Sequence, residues 1–106
     1  IYAESGNQPL DGKIAVGNVV LNRVASPFPN SVYEVIFQRN QFTPAANGSI
    51  NRTPSAESVV AAKLCLDGAN TAGSALYFVN PTVAPGSWAS RNRPYVATIG
   101  AHAFYG

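Results

Sequence analysis

The stretch from residue 10 to residue 24 constrains this chain more than any other. Ile14, Ala15, Val16, Val19, Val20, Leu21 and Val24 surround a helical axis instead of lining one stripe of it. A helix that is apolar nearly all round is a buried helix, so the rest of the fold must wrap around this one. Its start is marked by Pro9, which suits a first helical turn, and by Asp11, an acid at the positive end of the helix. Gly17, near its middle, predicts the close approach of another helix or strand.

The remaining elements follow from local signals. Residues 1–5 read as the end of a helix, broken by Ser5-Gly6-Asn7. Residues 26–30 are a proline-rich loop, and Ser31 caps a short helix that reaches residue 36 or 37. Residues 38–52 are polar and without periodicity, and a long irregular stretch in a compact domain is often functional. Thr53-Pro54-Ser55 opens another helix, in which Val59, Val60, Leu64 and Cys65 are expected to face the core and Gly68 to mark the end. Residues 75–79 read as a strand stopped by Asn80-Pro81, and residues 82–94 as a loop carrying Trp88. Residues 95–99 and 102–105 are two more strands around Gly100. Helices first and strands last give an α+β fold. At 106 residues this is one domain, and its opening on Ile1-Tyr2-Ala3-Glu4 reads as a cut from a longer protein.

Composition narrows the function. Charged residues are 11% of the chain and hydrophobic ones 46%, so Asn, Ser, Thr, Gln and Gly must cover the surface. Such a surface suits hydroxyl-rich ligands such as sugars, and equally suits a secreted domain with neutral loops. The net charge of +2 comes from cations spread along the chain, which argues against a nucleic-acid partner. Cys65 is the single cysteine and His102 the single histidine, which excludes an internal disulfide and a Cys/His metal cluster. No cofactor is expected, and no apolar run reaches membrane-spanning length.

Five acids remain for chemistry. Asp11, Glu57 and Asp67 have structural readings at helix ends, and Glu34 has one on an exposed helix face. Glu4 follows an apolar helical stretch and precedes a turn. There it is either a solvated helix-end residue or a carboxyl at a cleft edge, kept protonated by apolar neighbours.

The motifs "AES…G…IAVGNVVLNRV", "VIFQ..QFTP", "ALYFVNP" and "IGAHAFYG" run from one end of the chain to the other. In order and spacing they resemble the spore cortex-lytic enzymes, cell-wall hydrolases of the SleB/CwlJ type. The resemblance implies a lysozyme-superfamily domain, exported to the spore cortex, coat or cell envelope, that acts on peptidoglycan. A separate wall-binding domain or accessory protein is a further expected partner. The resemblance places the catalytic glutamate at Glu4, and cleft residues at Gln41, Phe42, Thr43, Tyr77 and Asn80. It also makes His102 an orienting residue and puts Tyr105 in the last motif. Where the family often has a second charged residue after Ala-Glu, this chain has Ser5-Gly6-Asn7, a change expected at the cleft rim.

One carboxylate fits one chemistry well. Ordinary glycosidases use two. A lytic transglycosylase needs a single group that protonates the glycosidic oxygen. The same group then takes the proton from the C6 hydroxyl of the muramic acid as a 1,6-anhydro ring closes. Thr43 is expected to help hold the charge that develops in the sugar ring. The alternatives are a hydrolytic muramidase, a non-catalytic glycan-binding module, and a cysteine peptidase using Cys65 and His102. The last is disfavoured because Cys65 lies near a helix end between two leucines. Trp88, in a Gly- and Ser-rich setting, is a candidate for stacking on a sugar ring, with simple packing as its other reading.

Overall fold

The computed structural model describes residues 1–6, 8–25, 53–83 and 85–106. A short helix α1 (Tyr2–Ser5) leads into the long helix α2 (Leu10–Val24), followed by α3 (Ala56–Leu66). Strand β1 (Tyr77–Val79), helix α4 (Trp88–Asn92) and the strands β2 (Tyr95–Ile99) and β3 (His102–Tyr105) complete the described elements. The strands form one antiparallel sheet of order β1-β3-β2.

Helix α2 is the spine its sequence predicts, with Gly12 through Val19 and Arg23 buried. One side of it packs Ala15, Val16 and Val19 against Ala72, Ala75 and Phe104, with Phe78 and Ile99 at the margin. The other side brings Ile14 against Ala61 and Cys65 of α3, with Ile1, Leu21 and Leu64 around them. Polar residues on α2 fix the connection between α3 and β1. Asn18 Nδ2 donates to the Ala69 carbonyl at 2.8 Å, and Asn18 Oδ1 accepts from the Thr71 amide at 2.9 Å. Asn22 Nδ2 donates to the Ala75 carbonyl at 2.8 Å, and Arg23 Nε to the Leu76 carbonyl at 2.6 Å. Lys13, 4% exposed, pairs with Glu57 of α3 at 2.7 Å.

Three expectations need correction. Val59 and Val60 are 39% and 48% exposed, and Ser58, Ala61 and Cys65 are the buried residues of α3. Apart from Glu57 and Lys63 this helix carries apolar or small residues on every side, so its pattern has little phase, and the face with small side chains is the one that meets α2. Trp88 does not lie in an open loop; it begins α4, whose cap is the Ser87 hydroxyl accepting from the Ser90 amide. Arg93, extended before Pro94, ends that helix as a residue preceding proline does. The first strand is shorter than expected, starting at Tyr77.

Strand β2 contains a bulge. From the turn at Gly100-Ala101, Ile99 pairs with His102, Thr98 with Ala103 and Ala97 with Phe104. The next partner of Tyr105 is Tyr95 instead of Val96. The inserted residue turns Tyr95 to the face of Tyr105 while Ala97 stays on the face of Phe104. Tyr105 also pairs with Tyr77 of β1. Three tyrosines, one per strand, therefore stand side by side on the sheet face opposite Phe78 and Phe104.

Candidate active site

Glu4 sits on α1, which is held against α2. A Cβ built on Gly17 would stand 3.0 Å from Ile1 Cδ1, so the absence of a side chain there lets α1 come close. Ser5 is fully buried, and its hydroxyl donates to the Ile1 carbonyl at 2.8 Å. These contacts fix the backbone on both sides of Glu4. The carboxyl itself is half-buried, and burial raises its pKa above the ordinary 4.5 against an opposing pull from the Ile1 amino group. It makes no hydrogen bond or ion pair among the described residues. The other described acids differ: Glu57 is paired with Lys13, Asp67 caps the C-terminal end of α3, and Asp11 is exposed at the start of α2. Glu4 is thus the described carboxyl that is positioned, desolvated and unpaired, the state a general acid requires.

A second group of expected residues is gathered on the tyrosine face. The Tyr77 and Trp88 rings meet edge to face with centroids 5.6 Å apart, and Tyr95 and Tyr105 do so at 5.9 Å. Two guanidinium groups lie over the Tyr77 ring, Arg23 at 5.1 Å and Arg93 at 5.4 Å. Arg23 is buried, while Arg93 is exposed and donates from Nε to the Gly106 carbonyl at 2.7 Å. Trp88 is 55% exposed and Tyr95 61% exposed. The sequence reading named Tyr77, Trp88 and Tyr105 but missed Arg23, Arg93 and Tyr95. No motif assigns Arg23 or Arg93 a site role, and the place of Tyr95 depends on the bulge at Val96.

His102 lies apart from that group. His102 is 7% exposed on the opposite face, edge-on to Phe78 with centroids 5.2 Å apart. Burial pushes its pKa below the ordinary 6.5, and its Nδ1 has no hydrogen-bond partner. It stands behind the sheet, in the core. Asn80 Oδ1 accepts from the Thr82 and Val83 amides and so shapes the turn after β1. Gln41, Phe42, Thr43 and Glu34 lie outside the described residues. An apolar hollow of ≈ 210 Å³, lined by Ile1, Gly17, Val20, Leu21, Ala62, Cys65 and Leu66, holds none of the expected site residues. Its one thiol, Cys65, donates to the Ile14 carbonyl at 3.3 Å and is pushed by burial to a higher pKa, away from nucleophilic form. Among the described residues, no group of three or more His, Cys, Asp or Glu is placed to hold a metal ion, and no helix is long and apolar enough to cross a membrane.

The profile of the Cell Wall Hydrolase family matches residues 7–105. A spore cortex-lytic enzyme of Bacillus cereus is 41% identical over 105 residues, covering 98% of this chain and 40% of its own length. The spore cortex-lytic enzyme of Bacillus subtilis is 38% identical, with 34% of its length covered. The chain thus spans well under half of these curated relatives. Among solved structures, the catalytic domain of the germination-specific lytic transglycosylase SleB from Bacillus anthracis superposes with a TM-score of 0.90 at 40% identity. That match covers 99% of this chain and 86% of the other. The catalytic domain of SleB from Bacillus cereus gives a TM-score of 0.88, also at 40% identity.

Proposed function

The chain belongs to the Cell Wall Hydrolase family, and from that membership we propose that it cleaves peptidoglycan glycan strands by lytic transglycosylation, with Glu4 as acid and then base. The bond cut is the one between N-acetylmuramic acid and N-acetylglucosamine. The names of its relatives, spore cortex-lytic enzyme and germination-specific lytic transglycosylase, support spore cortex in germination as the setting, and with it export to the cell envelope.

The observation that carries the reading is the state of Glu4. Its carboxyl is half-buried on a fixed backbone, its pKa is raised by desolvation, and no described side chain occupies it. In the protonated form it donates to the glycosidic oxygen, and the leaving sugar departs with that proton. The carboxylate left behind takes the proton from the C6 hydroxyl of the muramic acid as that oxygen bonds to C1. The glutamate ends protonated, as it began, and no water is consumed. The attacking hydroxyl belongs to the same sugar, so little entropy is lost in bringing it to the reacting carbon. Gln41, Phe42, Thr43, Tyr77, Asn80, Trp88 and Tyr105 are assigned to the strand-binding cleft, with His102 behind it.

The test is digestion of purified cortex and vegetative peptidoglycan in heavy-oxygen water, followed by mass spectrometry of the new ends. Unlabelled 1,6-anhydro-N-acetylmuramic acid ends are expected. Reducing ends carrying the heavy oxygen would show hydrolysis instead. Glu4→Gln should remove all cleavage while leaving the protein folded.

A further inference from the structure

Glu4 rides on a helix of only four residues. A single helical turn is not stable by itself, so the place of its carboxyl is set by what holds α1 at its two ends. Ile1, against Gly17, holds the beginning. The end is held through Gln8. The Gln8 amide donates to the Ser5 carbonyl at 2.9 Å, and the Ser5 amide and hydroxyl both donate to the Ile1 carbonyl at 2.8 Å. Gln8 is therefore bonded to the turn of helix that carries Glu4.

Gln8 is itself seated by elements distant in sequence. Its side-chain Oε1 accepts from the Ala101 amide at 2.7 Å, in the turn between β2 and β3. Its carbonyl accepts from Lys13 Nζ at 2.6 Å. Lys13 is 4% exposed, and a buried ammonium needs its partners; it has the Gln8 carbonyl and, at 2.7 Å, the Glu57 carboxylate of α3. Two glycines complete the seat. A Cβ on Gly12 would stand 3.3 Å from Gln8 Cβ, and a Cβ on Gly100 would overlap Gln8 Oε1. Helix α2 and the hairpin turn thus both leave room for this one side chain. The bond to Ala101 is exposed, where a hydrogen bond adds little to stability. Its consequence is geometric, because it fixes a residue one turn beyond the acid.

We propose that Gln8 is a positioning residue for Glu4: through Ala101 and Lys13 it ties the helical turn of the acid to the β2–β3 hairpin and to α2, and so holds the carboxyl where the glycosidic oxygen arrives. The inference rests on the reading of Glu4 as the acid, and it adds what sets its place. A group that donates to one oxygen and then accepts from another tolerates little displacement, and an error of about 1 Å can cost roughly a hundredfold in rate. Proton transfer belongs to the transition state, so a loosened Glu4 lowers kcat and leaves strand binding alone.

Initial rates of cleavage of purified peptidoglycan, taken per folded molecule over a range of substrate concentration, test it. Gln8→Ala should lower kcat roughly tenfold with KM within about twofold of wild type. Gln8→Glu keeps an oxygen to accept from the Ala101 amide and should recover most of the rate. Gly100→Ala drives a methyl against Oε1 and should lower kcat as well. In the Gln8→Ala background, where that oxygen is gone, it should lower kcat little further. A shifted urea midpoint with a wild-type kcat in Gln8→Ala would mean a role in stability alone and would overturn the proposal. Single losses that simply multiply in the double variant would overturn it too, as would a raised KM at unchanged kcat, which would make Gln8 a strand-binding residue. Glu4→Gln separates this inference from the reading beneath it. If that variant is inactive while Gln8→Ala keeps its full rate, the positioning role falls and the proposed function stands. If Glu4→Gln still cleaves, the acid assignment falls and the positioning role falls with it.

Discussion

Gly17 and Cys65 face each other across the contact of α2 with α3 so closely that a Cβ on Gly17 would stand 2.7 Å from the Cys65 sulfur. The same position meets Ile1, the residue that seats α1 and with it Glu4. Gly17→Ala must therefore push on both neighbours. A loss of about 1–3 kcal/mol in urea unfolding is expected, with lower activity per folded molecule. Cys65→Ala makes room for the added methyl, so the double variant should lose less than the sum of the single ones. Simple additivity would show that the two positions do not touch.

The Cys65 thiol is 6% exposed and pushed up by burial. Iodoacetamide should label it in the native protein only as fast as the α2–α3 contact opens, and much faster in urea. Rapid native labelling would contradict the packing described. Glycan cleavage should survive in Cys65→Ala, which separates this protein from a cysteine peptidase.

Asn18 holds two backbone groups of the connection to β1, the Ala69 carbonyl and the Thr71 amide. Asn18→Ala leaves both without their partner. The expected cost is about 1–3 kcal/mol, read from the urea midpoint. Asn18→Asp is the informative comparison: it keeps the acceptor for Thr71 but loses the donor to Ala69. It should be destabilised as well, because it puts a charge at a position 5% exposed. A wild-type midpoint in either variant would mean that the connection is held elsewhere.

Much of this architecture was legible in the sequence, for identifiable reasons. Helix α2 begins at Leu10 and ends at Val24 as read, because Pro9 marks one end and the apolar residues run without a break. Helix α3 ends before Gly68, whose φ of 103° is open to glycine at little cost. Glu4 was legible as a helix-end acid, but its desolvation depends on how closely α1 meets Gly17, which only the packing shows. The phase of α3 was hidden because Val59, Val60 and Leu64 are alike in polarity, and the small residues Ser58 and Ala61 turned inward instead. Trp88 reads as loop because Gly86 and Ser87 precede it, yet Ser87 is the cap of a helix. Tyr95 was missed as a site residue because regular pairing from Gly100 would put Val96 opposite Tyr105; a bulge cannot be read from alternation that it breaks.

The pH dependence of stability sets Glu4 and His102 against each other. Burial lowers the His102 pKa below 6.5 in the native state, so as pH falls through 6.5 the unfolded chain takes a proton first. His102 therefore makes the fold less stable on acidification, until its own depressed pKa is passed. Burial raises the Glu4 pKa above 4.5, so as pH falls the native carboxyl is protonated before the unfolded one. Glu4 therefore makes the fold more stable on acidification between that raised pKa and 4.5, and its ionised form is a burden at neutral pH. Two variants separate the contributions. Glu4→Gln should melt no lower than wild type at neutral pH despite being inactive, and it should lose stability more steeply toward acid. His102→Gln should have a flatter dependence than wild type, whatever its overall stability. Urea midpoints measured from about pH 7.5 to about pH 5 give all three slopes. Parallel curves for the three proteins would show that neither group is buried in the way that sets its protonation, and the acid role of Glu4 would then lose its physical basis.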